Sequence, residues 1–288
     1  MPAKVAVFGT GLMGSAAAKR LKDKGFEVLL WDRTFEKAKK LASELGAKAF
    51  TSPAEAAGYA KYAIALVADD KALLRVAGTL GWSEGLIFIN MSTVTPRAID
   101  EIALYLKSVG ACVVEAPLIG GPRVVEKGEA IALVGGPKEC VDKGMEVVNA
   151  IASKVFKVGE EYGKAAALKL AFNNMLLAGL VSLVESLGIV EAYGIDRDLF
   201  KKVLESTFLS GVASRFFERV TADKVDTTFR AKLAAKDARY VSEAARGAGA
   251  LPLLSDKVAE AYELMVYSGW GDEDYTSLLR FLRSLKRK

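Results

Sequence analysis

Val5-Ala6-Val7-Phe8-Gly9-Thr10-Gly11-Leu12-Met13-Gly14 decides how the chain is read. A β-branched apolar run enters the spacing G-x-G-x-x-G, and helical periodicity over Met13–Lys22 follows it. Gly9 permits a tight turn, Gly11 lets backbone approach a pyrophosphate, and Gly14 lets helix pack close against strand. The helix start then offers unpaired N–H groups and a positive dipole end to phosphate. The pattern alone is weak evidence. Here it has its context, with a strand before, a helix after and the acidic Asp32 about twenty residues on, at the end of the next apolar run. Gly9, Thr10, Gly11, Leu12, Met13 and Gly14 are therefore candidate dinucleotide ligands.

Outward from this loop the alternation continues. Val5–Phe8, Glu27–Trp31, Tyr62–Val67, Leu86–Asn90, Cys112–Ala116 and Ala130–Val134 predict strands. Met13–Lys22, Phe35–Leu45, Ala54–Ala60, Asp70–Leu80 and Arg97–Ser108 predict the helices between them. Such spacing implies βαβ units and a largely parallel sheet covered on both faces. The texture changes near Lys157–Gly163, where a helical pattern without proline begins and runs to Ala192. Gly194 and Asp196 read as its stop and the next N-cap, and the rest is helical. The expected class is α/β, a doubly wound parallel sheet over residues 1–160 with an all-α domain over 161–288. A helix this apolar on several faces also predicts a partner chain, as a homodimer or homotetramer.

Composition removes several chemistries. There is no histidine, so His triads, His zinc sites and His acids are excluded, and proton transfer falls to Lys, Asp, Glu, Tyr or Cys. No metal site is expected. The net charge of +5 is dispersed, and its densest run, Arg283–Lys288, reads as a solvated helix end and not a nucleic-acid track. Two cysteines make no disulfide framework, and Cys112 sits in an apolar run suited to the core, so a reducing cytoplasm is the simplest setting. Structure beginning at Lys4–Phe8 argues against a secretory leader. The most apolar stretch, Met175–Val184, is bounded by Asn173, Asn174 and Glu185, which predicts no membrane span.

Three further stretches place polar groups at loop or helix positions. Ser92 and Thr93 follow a strand in Asn90-Met91-Ser92-Thr93-Val94-Thr95-Pro96, either lining a ligand crevice or capping the next helix. Gly120 and Gly121, after Ile119, make a turn whose N–H groups suit a carboxylate, or an ordinary Gly/Pro turn. Lys169 and Asn173 are one turn apart on one helix face among Ala, Leu and Phe. An ammonium there must be paired, shifted in pKa for acid–base work, or snorkelled to solvent. At the second strand's end, Asp32 suits a ribose 2′-hydroxyl, whereas Arg33 and Thr34 suit a 2′-phosphate, so NADP is favoured over NAD.

With Met13 before the last loop glycine, Asn90-x-Ser92-Thr93-x-x-Pro96, Gly120-Gly121 and Lys169-x-x-x-Asn173 in this order, the chain resembles the β-hydroxyacid dehydrogenase family. That family holds 3-hydroxyisobutyrate, L-serine and tartronate semialdehyde dehydrogenases and is related to 6-phosphogluconate dehydrogenase. Lys236-Asp237 and Gly269-x-Gly271-Asp272-x-Asp274-x-x-Ser277 resemble its later motifs, so nearly the whole chain is covered. The resemblance implies a Rossmann-type first domain and a small hydroxy or oxo acid substrate in a cleft. Lys169 would be general acid/base and Asn173 would hold the reacting oxygen or the carboxylate. Ser92, Ile119, Gly120 and Gly121 would line the substrate; Val67, Ala68, Thr93 and Lys236 would meet the cofactor. Ile119 departs from the family's serine and Val124-Val125 from its Gly-Ala, which touches substrate identity. A glyoxylate, succinic semialdehyde or tartronate semialdehyde reductase is the alternative within the family. A non-catalytic cofactor-binding protein is the alternative outside it, disfavoured by Lys169, which the related imine reductases lack.

Overall fold

The computed structural model describes residues 2–286. Two compact units divide it, Met1–Lys169 and Leu170–Lys288, with the division inside one long helix. In the first unit the elements run β1 (Lys4–Phe8), α1 (Leu12–Asp23), β2 (Glu27–Trp31), α2 (Phe35–Leu45), β3 (Lys48–Ala49), α3 (Pro53–Gly58), β4 (Tyr62–Ala65) and α4 (Asp70–Gly78). They continue as β5 (Ile87–Asn90), α5 (Pro96–Ser108), β6 (Cys112–Glu115), β7 (Leu118–Ile119), α6 (Pro122–Lys127), β8 (Ala130–Gly135), α7 (Lys138–Ile151) and β9 (Ala152–Gly159). Then come α8 (Lys164–Ala192), α9 (Arg197–Glu205), α10 (Ser210–Thr221), α11 (Ala231–Gly247), α12 (Ser255–Met265) and α13 (Leu278–Lys286).

The strands form one sheet in the order β3-β2-β1-β4-β5-β6-β8-β7, with β9 also pairing β8. From β3 to β6 all pairs are parallel; β8 runs antiparallel to β6 and β7 and parallel to β9. Alternation explains the two covered faces. Val5 and Val7 of β1 enter one core with Leu21, Ala38 and Val147, while Ala6 and Phe8 enter the other with Leu73, Ile99 and Leu106. A sheet buried on both sides needs apolar residues at every position, which is why these strands read as continuous runs. Strand β9, which pairs with β8 alone among the described residues, escapes that signal, since Ser153, Lys154, Phe156 and Lys157 are exposed and a period of two is barely visible. Two-residue β3 and β7 are too short to signal at all.

In the second unit Leu177, Leu180, Val184 and Leu187 of α8 pack with Phe216 and Phe217 of α10, Ala234 and Ala238 of α11, Tyr262 of α12 and Phe281 of α13. Helix α8 corrects one expectation. Asn173, Asn174 and Glu185 do not interrupt it, and its 29 residues are by length and composition long and apolar enough to cross a membrane. Only 33% of its most apolar window is buried within the chain.

The cysteines correct another. Cys112 opens β6, Cys140 lies in the first turn of α7, and the two are joined in a disulfide with Cα atoms 5.3 Å apart. Packing of α7 against the sheet brings them together across 28 positions, a proximity that local pattern cannot express. Cysteine usage therefore gives no argument for a reducing compartment. Of the terminal basic run, Arg283 pairs with Glu191, while Arg287 and Lys288 lie outside the described residues.

Candidate active site

Because β1, β4, β5 and β6 are parallel neighbours, their C-terminal ends share one edge of the sheet, where open α/β sheets bind ligands. The glycine loop leaves β1 there. Gly9 has φ 97°, and a Cβ on it would lie 2.4 Å from the Leu66 carbonyl oxygen. A Cβ on Gly14 would lie 1.8 Å from the Gly9 carbonyl oxygen. The chain's own packing thus requires both. Gly11 is different, with no atom beyond its own chain neighbours within 4 Å of its Cβ position among the described residues. It starts α1 without a side-chain cap and with no acid in the first turn. Open space before an uncapped helix start is what a dinucleotide pyrophosphate fills, so the loop fits a nicotinamide cofactor.

Asp32 has a structural duty here. Its Oδ2 accepts from the Thr10 N–H at 2.8 Å and the Thr10 hydroxyl at 3.1 Å, and its Oδ1 accepts from the Thr34 N–H at 2.9 Å. The carboxylate ties the glycine loop to the end of β2, with Arg33 exposed beside it. Ser92 ties the next two strand ends. Its hydroxyl donates to the Ala65 carbonyl at 3.0 Å and accepts from the Val67 N–H at 2.9 Å. Buried Asn90 braces Ser92 through Oδ1 to its N–H at 3.2 Å and Nδ2 to its carbonyl at 3.2 Å. Val67, Ala68, Ser92 and Thr93 accordingly lie together beyond β4 and β5. Thr95 is the cap of α5, accepting from Ala98 N–H at 3.2 Å.

β7 runs in the sense of β6, since both are antiparallel to β8, so Ile119, Gly120 and Gly121 end at the same edge. Gly121 starts α6 with no side-chain cap, and Pro122 follows. A Cβ on Gly120 would sit 3.0 Å from the Val124 side chain, so Val124 fills space beneath the turn.

On α8, Lys169 is 7% and Asn173 3% exposed, while Leu168 and Phe172, each immediately preceding one of them, are far more open. The buried polar face is the one predicted from spacing. Asn173 Nδ2 donates to Asp237 Oδ2 at 2.7 Å, which fixes the amide and leaves its buried Oδ1 without a hydrogen-bond partner among the described residues. Lys236 Nζ lies 2.9 Å from Asp237 Oδ1 and 4.8 Å from the Tyr240 ring centroid. The Lys-Asp pair and the α8 asparagine are thus one constellation.

Two carboxylates were missed as individual residues. Asp274, fully buried, accepts from Thr228 N–H at 2.7 Å, Phe229 N–H at 3.1 Å and Thr276 hydroxyl at 2.6 Å, and pairs with Arg219 at 3.2 Å. Burial raises its pKa, but hydrogen bonds from Thr276, Thr228 and Phe229 outweigh that and the net shift is downward. It fastens the segment entering α11, which carries Lys236 and Asp237. Glu115, at the end of β6, accepts from the Gly163 N–H at 2.7 Å and the Ala166 N–H at 2.9 Å. Its only signal in sequence was a carboxylate ending an otherwise apolar strand.

Comparison with known proteins agrees with this geometry. Residues 4–159 match the NAD binding domain of 6-phosphogluconate dehydrogenase, and residues 163–282 match the NAD-binding domain of NADP-dependent 3-hydroxyisobutyrate dehydrogenase. An uncharacterized oxidoreductase of Synechocystis is 30% identical over 97% of this chain and 98% of its own. Glyoxylate/succinic semialdehyde reductase 2 of Arabidopsis thaliana is 27% identical over 99% of this chain and 80% of its own. The solved 3-hydroxyisobutyrate dehydrogenase of Mycobacterium tuberculosis with L-serine has TM-score 0.85 at 22% identity, covering 98% of this chain and all of that one. With both halves matched, the chain belongs to the β-hydroxyacid dehydrogenase family, NAD(P)-dependent oxidoreductases acting on a CH–OH group.

Proposed function

We propose that the protein interconverts a small 3-hydroxy acid, of the L-serine or 3-hydroxyisobutyrate type, and its oxo acid, with Lys169 as general acid/base and NADP preferred. The observation carrying this reading is the buried Lys169–Asn173 face of α8, in a chain with no histidine. The nicotinamide, when bound, supplies the hydride acceptor. In oxidation the neutral Lys169 amine takes the hydroxyl proton, and in reduction its ammonium returns one to the carbonyl oxygen. A positioned ammonium also stabilises developing negative charge on that oxygen, so the step requires no metal. Asn173 holds the reacting oxygen, and the N–H groups of the Ile119-Gly120-Gly121 turn receive the carboxylate. The Gly9–Gly14 loop, Thr93, Val67 and Ala68 hold the cofactor, with Lys236 as a further ligand and Arg33 and Thr34 for a 2′-phosphate.

Lys169→Met tests the assignment. Turnover is expected to fall by about 10²–10⁴ while NADPH affinity stays unchanged; near-normal turnover would overturn it. Ile119, in place of the family's serine, supports a second reading as a glyoxylate or succinic semialdehyde reductase. Initial rates on L-serine, 3-hydroxyisobutyrate, tartronate semialdehyde, glyoxylate and succinic semialdehyde, with each nicotinamide, separate the two. We also propose self-association as a homodimer or homotetramer, supported by exposed Met175 and Ile189 on α8. Sedimentation equilibrium tests it, and a monomer at assay concentration would refute it.

A further inference from the structure

Among the helices with a side-chain cap, α3, α4 and α5 are capped by a neighbour in sequence: Ser52, Asp69 and Thr95, each bonding an N–H three residues on. Helix α8 is capped from 48 and 51 residues away. Glu115 offers one oxygen to each of two N–H groups, Oε1 to Gly163 and Oε2 to Ala166. A local cap secures only the start of a helix. A cap planted on a central strand also fixes where the helix stands on the sheet edge.

The surroundings are built around that carboxylate. Glu115 faces Gly135 of β8 in register. A Cβ on Gly135 would lie 3.3 Å from Glu115 Oε1 and 3.2 Å from the Ala165 Cβ, so the glycine leaves room for both the carboxylate and the helix. Tyr162, just before α8, adds a second tie, donating its hydroxyl to the Val113 carbonyl of β6 at 3.3 Å. Ala165 and Ala166 are buried, and Lys169 lies four and three residues beyond them, on the same face.

We propose that Glu115 is the positioning residue for Lys169: its buried carboxylate clips the first turn of α8 to the end of β6 and sets where the lysine stands. This inference rests on the reading of Lys169 as the proton carrier. Two N–H groups require two acceptors, which a carboxylate supplies and a glutamine does not, because its NH2 would face one of the donors. Aspartate keeps both oxygens but is one methylene short. Burial raises the Glu115 carboxyl, the Ala166 and Gly163 N–H groups oppose the rise, Asp100 on α5 adds to it, and the net value is about 7. Tyr162 also acts on the carboxyl, itself pushed up to about 12 by burial and by the Glu115 charge.

The test uses Glu115→Gln, Glu115→Asp and Lys169→Met in the full chain. Glu115→Gln should lower kcat by about 10- to 100-fold, as misplacement of a catalytic group by about 1 Å does. Its KM and NADPH dissociation constant should stay within about two-fold, and Glu115→Asp should recover part of the loss. Hydrogen exchange of the 163–169 segment, read by mass spectrometry, needs no activity. Its protection should drop in Glu115→Gln relative to the wild type at the same pH. Wild-type kcat in Glu115→Gln with Lys169→Met inactive would overturn the proposal and leave the Lys169 reading standing. Full activity in Lys169→Met would overturn that reading, and the exchange arm would then judge the clip alone. Should Glu115→Gln fail to fold, Gly135→Ala, which presses on the carboxylate from β8, should lower kcat and protection together; no change in either would overturn the proposal.

Discussion

Two helices begin at the same edge of the sheet and their starts are treated in opposite ways. Helix α1 follows β1 with Gly11 uncapped and open space before it. The start of α8 is closed, its Gly163 and Ala166 N–H groups held by a fully buried carboxylate on β6. Every helix start carries unpaired donors and a partial positive charge. Where the chain leaves them open, a dinucleotide's phosphates can take the place of a cap. Where it closes them with its own anion, they become a fastening point, and on α8 what is fastened is the turn leading to Lys169.

The largest break in this contrast is Gly14→Ala. Its Cβ would meet the Gly9 carbonyl oxygen at 1.8 Å, a backbone atom that cannot rotate away. Loss of stability of roughly 3 kcal/mol or more is expected, with cofactor binding lost; chemical denaturation and NADPH fluorescence titration measure both.

Close behind comes the pH dependence of the closed start. Glu115 has a folded pKa of about 7 against 4.5 for the free carboxyl. Between those values the folded chain holds a proton that the unfolded chain has released. Stability from this group is therefore fully present below about pH 4.5, is lost as pH rises to about 7, and is level above that, a change of about 3 kcal/mol. Denaturation midpoints across this window should show the slope, and Glu115→Gln should lack it. The pH that fully charges the clip is also the pH at which its burial costs most.

Gly11→Asp would turn the open start into a closed one by giving α1 a carboxylate of its own. Beyond its own chain neighbours, no atom of the described residues stands within 4 Å of the new Cβ, so the melting temperature should hold. NADPH affinity should fall about 100-fold, roughly 2.7 kcal/mol, through competition and charge repulsion; unchanged affinity would show that phosphate does not sit there. The smallest effect concerns the strands between the two starts. Ser92→Ala removes both side-chain bonds that the Ser92 hydroxyl makes across the ends of β4 and β5 and leaves the backbone bond from Met91 to Ala65. About 1–2 kcal/mol of stability should go, with a modest loss of cofactor affinity measured by the same titration.

Much of this was legible in residue order. Covered strands and amphipathic helices write their periods directly, so the sheet, its helices and the all-helical second half were readable from Val5–Phe8 outward. Three glycines with a strand before them and a helix after them marked the loop, and the i, i+4 spacing put Lys169 and Asn173 on one face. Short or exposed strands such as β7 and β9 lacked the apolar run that makes a strand visible.

What tertiary structure alone decided has a common form. Asp32 serves as a clamp on Thr10, Ser92 as a tie between strand ends, Asp274 as an anchor for the entry to α11, and Cys112 as the partner of Cys140. Glu115 is the extreme case, a strand-end residue in sequence and the cap of a distant helix in space. Local periodicity and backbone sterics act over a few residues, so the chain itself determined its elements and the spacing of Lys169 and Asn173. Which buried polar group meets which orphan donor depends on contacts closed across tens of residues, and only the packed sheet with its helices brings those pairs within hydrogen-bond reach.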